Sequence, residues 1–184
     1  MKTPHLILLL GAALLWAAGH TRAQTVPDAK TAYLQTRDAA AQAYKRARAQ
    51  CNAITGNPKE VCVAEAKAAR VRTEEEASAA YQNTLAAYTR ARLRIAAANH
   101  ARDKAKCKAL TGNDRDVCME QAKATFVSAK ADAKADDKAI EARAEAREDK
   151  RNAAYHVALE KCDAFAGAAK DQCVAAAKAA YAGQ

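Results

Sequence analysis

The chain has 184 residues, with 30 Lys or Arg against 21 Asp or Glu and a formal net charge of +9. Hydrophobic residues make up 51%, but alanine supplies over half of that share and aromatic residues only 5%. So few large side chains exclude the thick core that a globular enzyme buries.

The first 24 residues read MKTPHLILLLGAALLWAAGHTRAQ. Lys2 is a positive n-region, Leu6 to Ala18 an apolar h-region, and Thr21-Arg22-Ala23 ends on a small residue. That pattern predicts a secretory signal peptide over 1–23, cleaved after Ala23. The apolar run is shorter than the ~20 residues needed to cross a bilayer, and no later segment is apolar enough to do so. Cleavage would leave residues 24–184 with a charge of +7, which read as a single helical repeat array.

All six cysteines fall into three pairs of equal spacing: Cys51/Cys62, Cys107/Cys118 and Cys162/Cys173. Their surroundings, CNAITGNPKEVCVAEAK, CKALTGNDRDVCMEQAK and CDAFAGAAKDQCVAAAK, align without gaps. Gly56, Gly112 and Gly167 occupy the same place in each unit. An internal repeat of this kind defines the architecture. Gly tolerates the positive φ that ends a helix. Asn57 is a good N-cap, Pro58 suits the first helical position, and Glu60 completes a capping-box-like pattern. Each unit therefore reads as a helical hairpin, centred near 56, 112 and 167. The two cysteines stand at nearly equal height on its antiparallel helices.

Tyr44, His100 and Tyr155 lie seven residues before each first cysteine, and Ile54, Leu110 and Phe165 three after it. Those offsets share one helix face, so the first cysteine of each pair is expected in the seam. In an exported chain, six evenly paired cysteines read as three disulfides. Metal binding would need closer pairs or nearby histidines, and no cofactor is expected. A redox-active pair would need C-x-x-C spacing.

Between Pro58 and Gly112, and between Gly112 and Gly167, there is no Gly or Pro. These stretches predict two long helices, each ~80 Å if unbroken. A shorter helix over about 28–55 precedes them, and one over about 169–181 follows. The weak spots are Val71 to Glu76 and Asp132 to Asp137. If the two long helices fold back about Gly112, Glu74, Glu75 and Glu76 oppose Arg151, Lys150 and Asp149. Arg90, Arg92 and Arg94 then lie near Asp132 and Asp136, and Arg48 opposes Glu65 in the first hairpin. Tyr81, Leu85, Tyr88 and Ile95 keep near-heptad spacing, as in a coiled coil.

The most basic window, residues 88–108, holds seven cations against one Asp. Arg90, Arg92, Arg94, Arg102, Lys104, Lys106 and Lys108 are the candidate anion-binding residues, facing lipopolysaccharide phosphates or acidic lipid. Lys45, Arg46 and Arg48 form a second, weaker cluster. The competing reading is a solvated helix neutralised by its neighbour. No nucleic-acid motif is present, and stacking aromatics are scarce in the basic window. Only His100 and His156 lie beyond the leader, and no Gly-rich phosphate loop, G-x-S-x-G or H-E-x-x-H occurs. No enzymatic activity is expected.

The segment AKATFVSAKADAKADDKAIEARAEARED resembles the long helical middle region of TolA, the envelope-spanning protein of Gram-negative bacteria. The C-x-A-x-x-G-(x)5-C-x-x-x-A-K unit resembles that of small exported bacterial proteins labelled TolA-like. The expectation is an all-α protein of elongated antiparallel hairpins, coiled-coil-like, with one disulfide per repeat. It would act in the periplasm as a structural or interaction protein of the cell envelope. A basic-faced binding or holdase-type module for anionic components or unfolded clients is the alternative.

Overall fold

A computed structural model describes residues 28–181, so the predicted signal peptide lies outside the described residues. Five helices follow one another: α1 Ala29–Cys51, α2 Gly56–Gln82, α3 Leu85–Cys107, α4 Gly112–Cys162 and α5 Gly167–Tyr181. No strand occurs among the described residues. The all-α class is as the sequence implies. No described helix is long and apolar enough to cross a membrane.

Each helix packs only against its neighbours in sequence, α1 on α2, α2 on α3, α3 on α4 and α4 on α5. The chain is thus a single serpentine layer rather than a closed bundle. A single layer leaves no place for a third element to cover a seam. Among the described residues the buried side chains are therefore all Ala or Cys, from Ala40 and Ala68 to Ala122 and Ala133. Alanine lets two backbones approach, but each buried methyl removes little apolar area from water. The aromatic rings sit at the seam edges. Tyr33 stacks on Tyr81 with centroids 5.0 Å apart, and His100 on Phe126 at 4.7 Å.

The expected helix between Pro58 and Gly112 is broken, but not at Val71 to Glu76, which lies inside α2. The chain reverses at Asn83 and Thr84. Asn83 adopts φ 47 and ψ 43 and its N–H donates to the Ala79 carbonyl at 2.8 Å. Asn is one of the few non-glycine residues that visits the left-handed region readily. Thr84 then caps α3, its hydroxyl accepting from the Ala87 N–H at 3.2 Å. The second stretch is continuous through Asp132 to Asp137. It forms the 51-residue α4, about 76 Å long.

The reversal changes the register. Glu75 does not face the far part of α4. It receives Arg94 of α3 at 2.8 Å. Glu65 pairs with Lys106 at 2.9 Å rather than with Arg48. The expected approach of Arg92 to Asp136 is present, at 2.7 Å. Tyr81 closes α2 while Leu85 opens α3, so Tyr81, Leu85, Tyr88 and Ile95 do not form one heptad row.

Two disulfide necks lie at one end of the layer and the third at the far end of α4. α1, α2 and α3 have 23, 27 and 23 residues, so α4 extends well beyond them. α3 covers its first part and α5 its last. Every residue from Lys138 to Lys150 is exposed.

Candidate functional site

The three cysteine pairs form the disulfides Cys51–Cys62, Cys107–Cys118 and Cys162–Cys173, with Cα–Cα distances of 5.7, 5.5 and 5.6 Å. Local sequence builds each neck alike. The first helix ends at the first cysteine, and a tight turn brings the glycine to positive φ: 66 at Gly56, 56 at Gly112 and 55 at Gly167. Only a residue without Cβ takes that conformation at little cost. The next helix starts there and carries the second cysteine to the first. No cysteine is free among the described residues.

The two sulfurs of each bridge are not equally placed: the first cysteine of each pair lies in the seam, as its spacing implies, and the second does not share its burial. Cys51, Cys107 and Cys162 are fully shielded from solvent. Cys62, Cys118 and Cys173 are only half-buried. Each of these three lies in the first two turns of its helix, beside a connecting turn too short to cover it. The first cysteine instead closes a helix whose own last turn and facing helix enclose it.

Two further details of the necks differ from expectation. Thr55 and Thr111, not the residues after the glycines, occupy the N-cap positions of α2 and α4. Asn57 is released from capping, and its Nδ2 donates to the Ala105 carbonyl at 3.0 Å. It joins the first neck to the second, 48 residues along the chain. Lys108 reinforces the junction through Glu60 at 2.9 Å. Ile54, Leu110 and Phe165 lie in the turns beyond the helix ends and remain substantially exposed. They leave the seam because the helix that carried the spacing has already ended.

The basic window does not gather into one face. Arg90 Nη2 donates to Gln82 Oε1 at 3.1 Å, and Arg92 turns to α4. Arg94, Lys106 and Lys108 turn to α2, each onto a carboxylate. Arg102 bonds Asp103 beside it at 2.8 Å and Asn99 at 3.3 Å. Lys104 is exposed and has no ion-pair partner among the described residues. The Glu75 carboxylate, hydrogen-bonded to Arg94, raises the guanidinium pKa above its ordinary value. The hydrogen bond to Asp103 does the same for Arg102, against a smaller opposing effect of burial. Five of the seven cations are thus held by carboxylates.

Unpaired positive charge lies instead on α1. Lys45, Arg46 and Arg48 are exposed, and none makes an ion pair among the described residues. The reason is composition. Ala29–Cys51 contains five Lys or Arg and only Asp38 as an acid. As an edge helix, α1 has one neighbour to draw carboxylates from. A window count along the sequence ranks 88–108 first because it ignores charges that arrive from other helices.

Nothing in the described part gathers three potential metal-ligating side chains. His100 is occupied by its stack on Phe126, and Lys130 Nζ lies 4.9 Å from the Phe126 centroid. The grooves are shallow furrows between or along helices. One between α2 and α3 is lined by Ala64, Val71, Ala97 and Ala101, with Lys67, Glu75 and Arg94 among its polar residues. Comparison with family models, with curated proteins and with solved structures finds no match.

Proposed function

We propose that the protein is an exported, non-enzymatic scaffold of the bacterial cell envelope that works by binding through its helical faces. The observation that carries this reading is the single layer. Each seam is filled by alanine and cysteine, while Leu34, Val117, Val127, Val157 and Tyr88 remain exposed on the faces. Apolar side chains on open faces favour contact with other macromolecules over enclosure of a small substrate. Three disulfides favour an oxidising compartment. Together with the leader-like first 23 residues, they support the periplasm. The compositional likeness of α4 to the TolA helical region adds a weaker argument for the envelope.

The test is site-specific photocrosslinking in intact cells, with the crosslinker at Leu34 and, as control, at buried Ala68. A discrete envelope adduct from Leu34 alone supports the reading. Cytoplasmic retention with reduced cysteines overturns it.

One observation favours a second reading, an anion-binding module. Its face would be α1, through Lys45, Arg46 and Arg48, which lack the internal carboxylates that engage most of the 88–108 cations. Vesicles of acidic lipid should then bind the protein at low salt and release it at high salt, because exposed charge is screened within about 10 Å at 0.1 M. Substitution of all three cations by Glu should abolish that binding. Substitution of Lys104 alone should not.

A further inference from the structure

We infer that α4 pairs with α4 of a second copy, antiparallel, along the face turned away from α3 and α5. The inference is independent of what else the scaffold binds.

The side of α4 that packs on α3 carries Ala122 and Ala133, both buried. About 150° around the helix runs a second apolar row. Ala124, Ala135, Ala146 and Val157 recur at a constant interval, with Ala131 and Ala142 between them, and all six are exposed. The interval of 11 residues corresponds to about 3.67 residues per turn, so the row stays on one face with little supercoiling. α1 and α2 do not touch α4, and nothing in the described chain covers this row.

The charges beside the row identify the occupant. On one flank Lys134 and Lys138 precede the middle of the helix, and Glu145 and Asp149 follow it. On the other flank Asp132 precedes the middle and Lys150 follows it. The pattern changes sign about a point between Glu141 and Ala142. A two-fold axis there sets Lys138 against Glu145, Lys134 against Asp149 and Asp132 against Lys150 of the partner copy, each twice. Ala139 falls opposite the space between Ala142 and Ala146, so the alanine ridges interdigitate. All these charged side chains are exposed. Asp136, nearer to α3, is held by Arg92 and is left out of the pairing.

A parallel pair in register, related by an axis along the helices, would instead set the Lys134, Lys138, Glu145 and Asp149 flank against the partner's Asp132 and Lys150 flank. It would also align the dipoles of two 51-residue helices, which antiparallel packing sets in opposition. The shared row from Ala124 to Val157 spans about 50 Å. At about 10 Å wide on each copy, it reaches the ~1,000 Å² of total area at which specific interfaces begin. Such a contact is isologous and closes on itself.

Sedimentation equilibrium of the oxidised protein tests the assignment. The wild type should be a dimer at low salt and should weaken as salt is added. The variant E145K/D149K places Lys against Lys and should be monomeric, as should K134E/K138E with Glu against Glu. Mixed in equal amounts, the two variants should recover a dimer, since every cross pair on that flank is again opposite in sign. Circular dichroism confirms that each variant keeps its helix content. A monomeric wild type, a dimer that survives in either variant alone, or a mixture that stays monomeric would overturn the inference. So would a wild-type dimer that tightens with salt, because screening weakens the opposite-charge pairs proposed.

Discussion

Arg94 of α3 reaches Glu75 of α2 across the one hairpin that has no disulfide, Nη1 to Oε1 at 2.8 Å. The two residues are 19 positions apart, and the contact exists only because the chain reverses at Asn83 and Thr84. Exposed ion pairs contribute roughly 0–1 kcal/mol. The reversal therefore rests mainly on its turn and on alanine packing between α2 and α3.

That assignment makes the turn testable. Asn83→Ala forces an ordinary residue into the left-handed region at a cost of about 1–2 kcal/mol. Thr84→Ala removes the cap of α3 and costs about 1 kcal/mol. The double variant should lose stability, and part of its population should straighten into one helix. Small-angle scattering should show a larger maximum dimension than in the wild type. Unchanged dimensions and unchanged stability would refute the role given to these two residues.

α5 has one packed neighbour, α4. It is tied there by Cys162–Cys173, by Lys170 on Asp163 at 2.8 Å and by Tyr155 against Tyr181. In a one-dimensional array, loss of a terminal unit leaves the rest standing. The pair of changes Cys162→Ala and Cys173→Ala removes a cross-link worth about 3 kcal/mol on the loop-entropy account. Hydrogen exchange should then lose protection throughout Gly167–Tyr181 while α2 and α3 keep theirs. Equal loss along the whole chain would show a cooperative unit that a single layer does not provide.

Gly112 has φ 56, and a Cβ there would meet nothing within 4 Å. Its requirement is conformational and not steric. Gly112→Ala should cost about 1–2 kcal/mol, which for a chain of this size lowers the melting temperature by roughly 2–8 °C. Gly112→Asn should cost less, because Asn tolerates the left-handed region. If Ala and Asn are equally harmful, space rather than φ governs the site.

Asp28 caps α1, its Oδ1 accepting from the Lys30 and Thr31 amides at 3.0 Å each. The hydrogen bond from the Thr31 backbone, above all, holds the carboxyl pKa below its ordinary value. The folded pKa is the lower one, so the cap stabilises above the unfolded value of about 3.9. Its contribution disappears as pH falls through the folded value. Amide chemical shifts of Lys30 and Thr31 should titrate in that acidic range, below the midpoint of a free Asp. In Asp28→Asn the titration should vanish while the cap remains.

The hairpins are legible in the sequence because their determinants are local. A glycine flanked by cysteines at fixed offsets is a short-range arrangement, and the same unit recurs with the same geometry three times. The third neck, which lacks the Asn, forms as the others do, since glycine and the disulfide suffice. The unequal shielding of Cys51 and Cys62, or of Cys107 and Cys118, is not legible in the spacing, because it depends on what covers each helix end. The turn at Asn83 is also written locally, as an Asn followed by a capping Thr. It escapes a reading in which only glycine and proline punctuate an alanine-rich chain. The seam role of Ile54, Leu110 and Phe165 fails for a related reason. A periodicity argument holds only while the helix continues.

The amino-acid sequence by itself determined the all-α class, the three stapled necks and the scarcity of a core. Each follows from propensity, spacing or side-chain size, which need no knowledge of distant residues. Only the tertiary structure decided which cations keep a free charge. Arg94, Lys106 and Lys108 lose theirs to carboxylates of α2 that lie 19 to 48 residues away, while Lys45, Arg46 and Arg48 do not. Coulomb attraction acts through space, and one reversal at Asn83 sets which carboxylate stands within its reach.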